Sequence, residues 1–272
     1  MKITKETICC ISIAERPGNF GATIFNAVFQ KLGMDYIYKP FKLIPGHLDE
    51  VTKSIKALGI RGCGVSMPHK SEILKYVDSV DGLAQKIGAA NTVVNDKGVL
   101  KAYNTDCAGA MKALAEIFPM KGKSAHIVGA GGAARAIIVA LQEAGASRIS
   151  ISNRDDARAR EIAKHFGIEY CSSKEREARK SDLLVNATPV GMTPDINDTP
   201  VDLAELSNYS AVMDVVVSPF YTKLVTEAKN KGLTTIPGYR MALYQASVQY
   251  ELYTGEPAPM DLMLEEMKKT TS

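Results

Sequence analysis

The stretch from Ser124 to Ala134, SAHIV followed by Gly129-Ala130-Gly131-Gly132-Ala133-Ala134, constrains this chain more than any other. A short apolar run of strand type meets a glycine turn, a helix is expected over 133–144, and a second strand over 147–152. Strand, glycine turn, helix and strand within about 30 residues form a βαβ unit, whose strands lie parallel and are covered by helix. Gly129 permits the tight turn after the first strand. Gly131 lets backbone N–H groups approach a pyrophosphate, whose charge meets the positive end of the helix. Ala134 stands at the third position of G-x-G-x-x-G, where a small residue lets helix and strand pack closely. Gly129, Ala130, Gly131, Gly132 and Ala133 are therefore candidate dinucleotide contacts, and a merely structural turn is the competing reading.

The end of the second strand discriminates between cofactors. An acidic residue there suits the ribose 2′-OH of NAD, whereas arginine suits the 2′-phosphate of NADP. The chain has Asn153-Arg154-Asp155-Asp156-Ala157-Arg158 at this point. Arg154 and Arg158, with Asn153 beside them, fit a phosphate through charge-assisted hydrogen bonds, while Asp155 and Asp156 oppose it. The same four charges also read as a solvated helix start with acid at its favourable end. NADP is expected, with NAD as the lesser alternative.

Strands and helices alternate along the rest of the chain, which places it in the α/β class. Strands are expected at 7–13, 35–42, 62–66, 183–186, 212–216 and 234–236, and helices at 22–33, 47–58, 68–77, from about Asp106 to Ile117, 221–231 and 240–254. Residues 92–103 alternate around Asn95-Asp96-Lys97-Gly98, a hairpin signal. Parallel sheets follow from this order, a break near 104–122 suggests two α/β domains, and the last helix is expected to pack back on the first domain. The tail after Met267 reads as polar and frayed.

Composition removes whole classes of function. With 46% hydrophobic and 23% charged residues the chain is not disordered, and no apolar run reaches the ~18 residues of a spanning helix. The N-terminal apolar run, Ile8 to Ile13, is too short for a secretory signal. A net charge of +3 without a basic stripe argues against nucleic-acid or membrane partners. Five cysteines without metal-ligand spacing fit a reduced, cytoplasmic compartment, and the scattered histidines support neither a metal site nor a triad.

A polar constellation lies in the first domain. Gly62-Cys63-Gly64-Val65-Ser66-Met67-Pro68-His69-Lys70 puts Ser66 and Lys70 at the C-terminal end of a strand, where open α/β sheets bind ligands. Lys70 alone reads as a solvated helix lysine and Asp106 alone as a helix N-cap. Asn91 precedes the hairpin. Spacing by itself does not connect these residues.

Six motifs in order do connect them: G-x-x-V-[ST]-x-P-x-K (Gly62 to Lys70), G-A-x-N-T (Gly88 to Thr92), N-T-D-x-x-G (Asn104 to Gly109), the G-A-G-G-A turn, N-A-T-P-x-G-M (Asn186 to Met192), and a terminal block with Gln245, Ala246, Thr254 and Gly255. Over essentially its whole length the sequence resembles the shikimate/quinate dehydrogenase superfamily. The resemblance implies an N-terminal α/β substrate domain (1–105), a Rossmann NADP-binding domain (106–237), a cleft between them, and a C-terminal helical segment (238–272) returning to the first domain. It implies Lys70 and Asp106 as the catalytic pair and Asn19, Gly21, Ser66, Asn91, Asp106 and Gln245 as substrate contacts. Thr188, Val215 and Gly238 join the cofactor set. The implied reaction is reversible, NADP-dependent oxidation of a ring hydroxyl of shikimate or a related cyclic hydroxy acid, for which no metal is needed. A lysine ammonium, with a reference pKa of ~10.4, is a competent acid for the reductive direction.

The chain departs from the family pattern in two places. An S-x-S pair that binds the substrate carboxylate is replaced by Asn19-Phe20-Gly21, and a tyrosine is replaced by Val217. Losing hydrogen bonds to an ion costs ~1.5–3 kcal/mol each, so weak turnover of shikimate is expected. Quinate dehydrogenation with NAD or with both cofactors, and a non-catalytic NADP(H) or metabolite sensor, are the alternatives. Monomer and homodimer both remain open.

Overall fold

A computed structural model describes residues 3–270. The first elements are β1 (Ile8–Ala14), α1 (Phe20–Lys31), β2 (Tyr36–Lys42), α2 (Leu48–Ala57), β3 (Gly62–Val65), β4 (Ser79–Val80), α3 (Gly82–Ile87), β5 (Thr92–Asp96) and β6 (Val99–Tyr103). There follow α4 (Thr105–Ile117), β7 (Ser124–Val128), α5 (Gly132–Glu143), β8 (Arg148–Ser152), α6 (Asp156–Phe166), β9 (Glu169–Tyr170), α7 (Ser173–Glu177) and β10 (Leu183–Asn186). The chain closes with β11 (Ala211–Asp214), α8 (Lys223–Asn230), β12 (Thr234–Ile236), α9 (Gly238–Thr254) and α10 (Met260–Thr270). Two compact units result: one runs through Thr105 and resumes over Gln245–Thr270, and the other is Asp106–Tyr244. The second boundary therefore falls inside α9, not before it at 238. Residues 271–272 of the expected C-terminal segment lie outside the described residues. Among the described residues no helix is long and apolar enough to cross a membrane.

The first unit carries a six-stranded sheet in the order β2-β1-β3-β5-β6-β4. β1 pairs in parallel with β2 and β3, but β5 runs antiparallel to both β3 and β6. The sheet is thus mixed where parallel strands were expected. The two-residue turn at Lys97-Gly98, with positive φ values of 51° and 90°, reverses the chain between β5 and β6 as the hairpin signal predicts. One face holds a core of Ile11, Ile13, Leu48, Ile55, Val65 and Val93. Over the other lie α1, α10 and the C-terminal part of α9, joined through Phe25, Phe29, Tyr38, Tyr250 and Tyr253.

Two expectations in this unit need correction. The helix expected over 68–77 is only a 3₁₀ turn at Glu72–Lys75. The Lys70 carbonyl, which a helix would keep for its own ladder, accepts instead from the Ala90 N–H at 2.7 Å. The frayed tail after Met267 is helical through Thr270, because Met263 and Met267 are fully buried on one face of α10.

The second unit is a six-stranded parallel sheet in the order β12-β11-β10-β7-β8-β9. Strand order reverses between β7 and β10, and a crevice at the carboxyl ends of strands on either side of such a switch point is where doubly wound sheets bind ligands. β11 stops at Asp214, short of the expected 216, since the Asp214 carboxylate caps the Val216 N–H at 3.0 Å. His126 of β7 bonds through both ring nitrogens to Ser150 (2.8 Å) and Ser152 (2.9 Å) of β8, locking the register that ends at Gly129 and Asn153. Burial, reinforced by the Arg179 and Arg176 charges, pushes its pKa down to about 3.

Candidate functional site

In the second unit the site residues sit at the carboxyl ends of successive strands. Gly129 follows β7 with φ +112°, and a Cβ there would lie 2.7 Å from Thr188 Cγ2 and 2.9 Å from the Ala187 carbonyl. The two chains flanking the switch point touch because the residue is glycine. Gly131, the N-cap of α5, and Gly132 have nothing within 4 Å of a would-be Cβ, and no side chain caps the helix. The first-turn N–H groups of α5, those of Gly132 and Ala133 among them, thus have no side-chain cap at the positive end of the helix, where Gly132 is exposed. Ala130 is buried in the turn, and Ala134 is fully buried against the sheet.

Beside this turn lies a cavity of about 590 Å³ lined by Val128, Asn153, Arg154, Arg176 and Thr188. The Asn153 amide is turned toward the chain, donating to the Asp155 carbonyl at 3.1 Å. Arg154 is exposed at the cavity wall, whereas Arg158 lies on the outer face of α6 and does not line it. Asp155 caps α6, accepting from the Arg158 N–H at 3.2 Å, so its carboxylate is committed to the helix. Arg176 was not anticipated. It forks onto the buried Glu205 at 2.9 and 3.0 Å, and no glycine or motif announces it in the sequence.

The next two strand ends are fixed by a buried carboxamide and carboxylate. Asn186 Oδ1 accepts from the Thr188 N–H (3.0 Å) and hydroxyl (2.6 Å), while its Nδ2 donates to Asp214 Oδ1 at 3.0 Å. Thr222 donates to Asp214 Oδ2 at 2.6 Å. Burial pushes the Asp214 carboxyl up to about 6, against the opposing pull of these hydrogen bonds. Val215 is held next in line by its N–H on the Asn186 carbonyl at 3.1 Å. Gly238 opens α9 so close to that loop that a Cβ would fall 2.1 Å from the Val216 oxygen. This set of open glycines, an uncapped helix start, a cavity and Arg154 fits a phosphorylated dinucleotide. Val217 is half-buried in this unit.

In the first unit Asn19 is the exposed N-cap of α1 and makes no side-chain cap bond. Gly21 lies in the first turn, with the Tyr38 ring 3.5 Å from a would-be Cβ. Ser66 is exposed just past β3, its N–H held by the Ile13 carbonyl at 2.9 Å. Lys70 is half-buried, and its backbone is tied to the Ala90-Asn91 segment. The buried His69 beside it reaches the Leu43 carbonyl through Nε2 at 3.0 Å, which requires that nitrogen to carry the proton. The Asn91 carbonyl accepts from Val65 at 2.8 Å, so the ends of β3 and the start of β5 are joined. Gln245 reaches the same region through Thr105 Oγ1 at 3.1 Å. Ser66, Lys70, Asn91 and Gln245 are thereby gathered in one unit. Asp106 is the first residue of the other unit and lies in the first turn of α4, which begins at Thr105; it is therefore not the N-cap that its surroundings in sequence suggested.

Comparisons with known proteins agree with these features. The profile of the shikimate dehydrogenase substrate-binding domain matches residues 20–93, and that of shikimate/quinate 5-dehydrogenase matches 112–191. A shikimate dehydrogenase (NADP(+)) of Methanothermobacter thermautotrophicus is 39% identical over 253 residues, covering 90% of this chain and 89% of that protein. A shikimate dehydrogenase-like protein of Haemophilus influenzae is 36% identical over 97% of this chain and 96% of its own length. The crystal structure of shikimate 5-dehydrogenase from Thermus thermophilus in complex with NADP(H) and shikimate superposes with a TM-score of 0.87 at 31% identity, covering 96% of this chain and 99% of that one.

Proposed function

The chain belongs to the shikimate/quinate dehydrogenase family of oxidoreductases acting on CH–OH groups, and from that membership we propose that it reversibly oxidises a ring hydroxyl of a cyclic hydroxy acid with NADP. NADP, when bound, supplies the hydride acceptor or donor. Lys70 Nζ takes the hydroxyl proton as the carbinol carbon loses hydride, and returns it to the oxygen in the reductive direction. Asp106 accepts a hydrogen bond from a substrate hydroxyl, and Ser66, Asn91 and Gln245 hold the ring. The observation that carries this reading is the gathering of Ser66, Lys70, Asn91 and Gln245 at one sheet end. Asn19 and Gly21 offer one amide and a backbone N–H to the carboxylate where relatives of the pattern offer two hydroxyls, so shikimate itself is turned over weakly.

NADP is favoured over NAD because Arg154 lines the cavity while Asp155 is spent capping α6. Quinate oxidation with NAD is the second reading, which Asp156 at the same strand end favours. Steady-state oxidation of shikimate and quinate with NADP⁺ and NAD⁺, wild type beside Lys70→Ala, tests both. NADP⁺-dependent turnover that vanishes in the variant supports the proposal. NADPH binding without turnover of any cyclic hydroxy acid replaces it with a sensor.

A further inference from the structure

Five side chains of the first unit, four of them buried and Gln245 half-buried, form a continuous hydrogen-bond network that includes Thr105, which is 1% exposed. The Thr105 N–H donates to Asn91 Oδ1 at 2.7 Å, and its hydroxyl lies 3.0 Å from the same oxygen. Thr92 Oγ1 also donates to Asn91 Oδ1 at 3.0 Å and lies 3.1 Å from Thr105 Oγ1. Gln249 Nε2 donates to Thr92 Oγ1 at 2.8 Å, and Gln245 Nε2, one helical turn earlier on α9, donates to Thr105 Oγ1 at 3.1 Å.

The directions of the bonds that join Asn91, Thr105 and Gln245 follow from one backbone group. A peptide N–H can only donate, so the atom of Asn91 that faces Thr105 must be the oxygen. The Thr105 hydroxyl then has an acceptor for its single proton, and its lone pairs are left for Gln245. Gln245 must therefore turn its nitrogen inward. The carboxamide atoms pointed the other way are Nδ2 of Asn91, a donor, and Oε1 of Gln245, an acceptor.

We propose that Thr105 is a positioning residue that fixes the donor–acceptor polarity of the two carboxamides assigned to the substrate's hydroxyls. The pair then suits ring hydroxyls, which accept from Asn91 and donate to Gln245; an ammonium group opposite Asn91 Nδ2 would meet a second donor. The inference rests on the proposed function for its substrate, but its structural half does not. Thr105 does not touch the substrate; it acts through the two residues that do.

Thr105→Val removes the hydroxyl with little change of shape and leaves the N–H to Asn91 in place, whereas Thr105→Ser restores the hydroxyl. With the acid that wild type oxidises best, Thr105→Val raises KM about tenfold, the effect of one misdirected polar contact, and changes kcat by less than about threefold. Thr105→Ser returns KM to within about twofold of wild type. An unchanged KM in Thr105→Val, or a serine variant as impaired as the valine one, overturns the proposal. The side-chain amide resonances of Gln245 and Asn91 in ¹⁵N-labelled apo protein give an answer that needs no substrate. In Thr105→Val the Gln245 pair moves toward solvent-exposed positions, while the Asn91 pair moves less. A Gln245 pair that stays put overturns the positioning role even if wild type turns over nothing, an outcome that by itself removes only the proposed function. If the valine variant fails to fold, Thr105→Ala serves as the second hydroxyl-free protein for the same readings.

Discussion

In the Asp106–Tyr244 unit the surface proposed to meet ligand is largely main chain, joined by Arg154, whereas in the other unit the proposed contacts are carboxamides, hydroxyls and a lysine amine. The first is made by removing side chains: Gly129 and Gly238 admit neighbouring backbone, and Gly131 and Gly132 leave a helix end bare. The second is made by orienting side chains through other side chains, as Thr105 orients Asn91 and Gln245. A site of main chain tolerates almost any change except added atoms. A site of side chains tolerates added atoms where there is room, but not lost or reversed hydrogen bonds.

The sharpest way to break that contrast is to add one carbon. Gly238→Ala would place a Cβ 2.1 Å from the Val216 oxygen, a backbone atom that cannot swing away. A loss of about 3 kcal/mol or more in unfolding free energy is expected, together with loss of NADPH binding. Gly131→Val is the control: nothing lies within 4 Å, so the thermal midpoint stays near that of wild type while NADPH affinity falls at least about tenfold. If both variants lose stability alike, the glycines are structural throughout and the open helix end is not a ligand surface.

The opposite behaviour is expected in the first unit. A serine at 21 finds the Tyr38 ring at an ordinary 3.5 Å, and Asn19 makes no side-chain cap bond that a serine would break. Asn19→Ser with Gly21→Ser therefore folds, and it raises kcat/KM for shikimate by at least about tenfold, the worth of one hydrogen bond to a carboxylate. Turnover of shikimate that does not change disposes of the carboxylate-anchor argument. Next in size, Arg154→Gln weakens NADP⁺ about tenfold in a direct binding titration and leaves NAD⁺ unchanged, since only NADP carries the 2′-phosphate. Equal weakening of the two cofactors would assign Arg154 to another part of the nucleotide.

The same contrast explains what could be read from the chain alone. Glycines in a strand–turn–helix frame are rare and positional, so the nucleotide turn, its strands and its helix stood out. Asn186, Asp214 and Thr222, which set the neighbouring strand ends, are common residue types far apart in sequence, and only folding brings them within 3.0 Å. Lys70, Asn91 and Gln245 were connected by family motifs and not by spacing, for the same reason. Thr105 stands inside one of those motifs, yet nothing local distinguishes a hydroxyl that orients two amides from one that caps a helix. The helix misread over 68–77 failed because its signal, a proline at 68 suited to a first helical turn, is local, while the bond between the Lys70 carbonyl and Ala90 is not. α10 was not told apart within the expected C-terminal helical segment, and its end was read as frayed, because its charged residues hide a narrow stripe of buried methionines.

The smallest effect separates the two regions by pH. The five residues of the network at Thr105 carry no titratable side chain themselves. Among the buried titratable groups of the parallel-sheet unit, His126 and Asp214 are shifted in opposite senses within the acid range. His126 has its pKa lowered to about 3. Between that value and its ordinary ~6.5 the unfolded chain binds a proton that the folded chain refuses, so its contribution, complete above pH 6.5, is lost as pH falls. Asp214 is raised to about 6. From there down to the ordinary ~3.9 the folded chain binds the proton first, so its contribution to stability grows as pH falls. The two slopes oppose each other over roughly pH 4–6, each bounded by about 1.4 kcal/mol per pH unit. His126→Gln keeps hydrogen-bonding groups for Ser150 and Ser152 but does not titrate. Its unfolding free energy, followed by denaturant titration at pH 6 and pH 5, should rise relative to wild type on acidification by up to about 1.4 kcal/mol. A difference between the two proteins that stays constant with pH would mean that His126 titrates alike in the folded and unfolded chains, and that its bonds to the two serines do not depend on its being neutral.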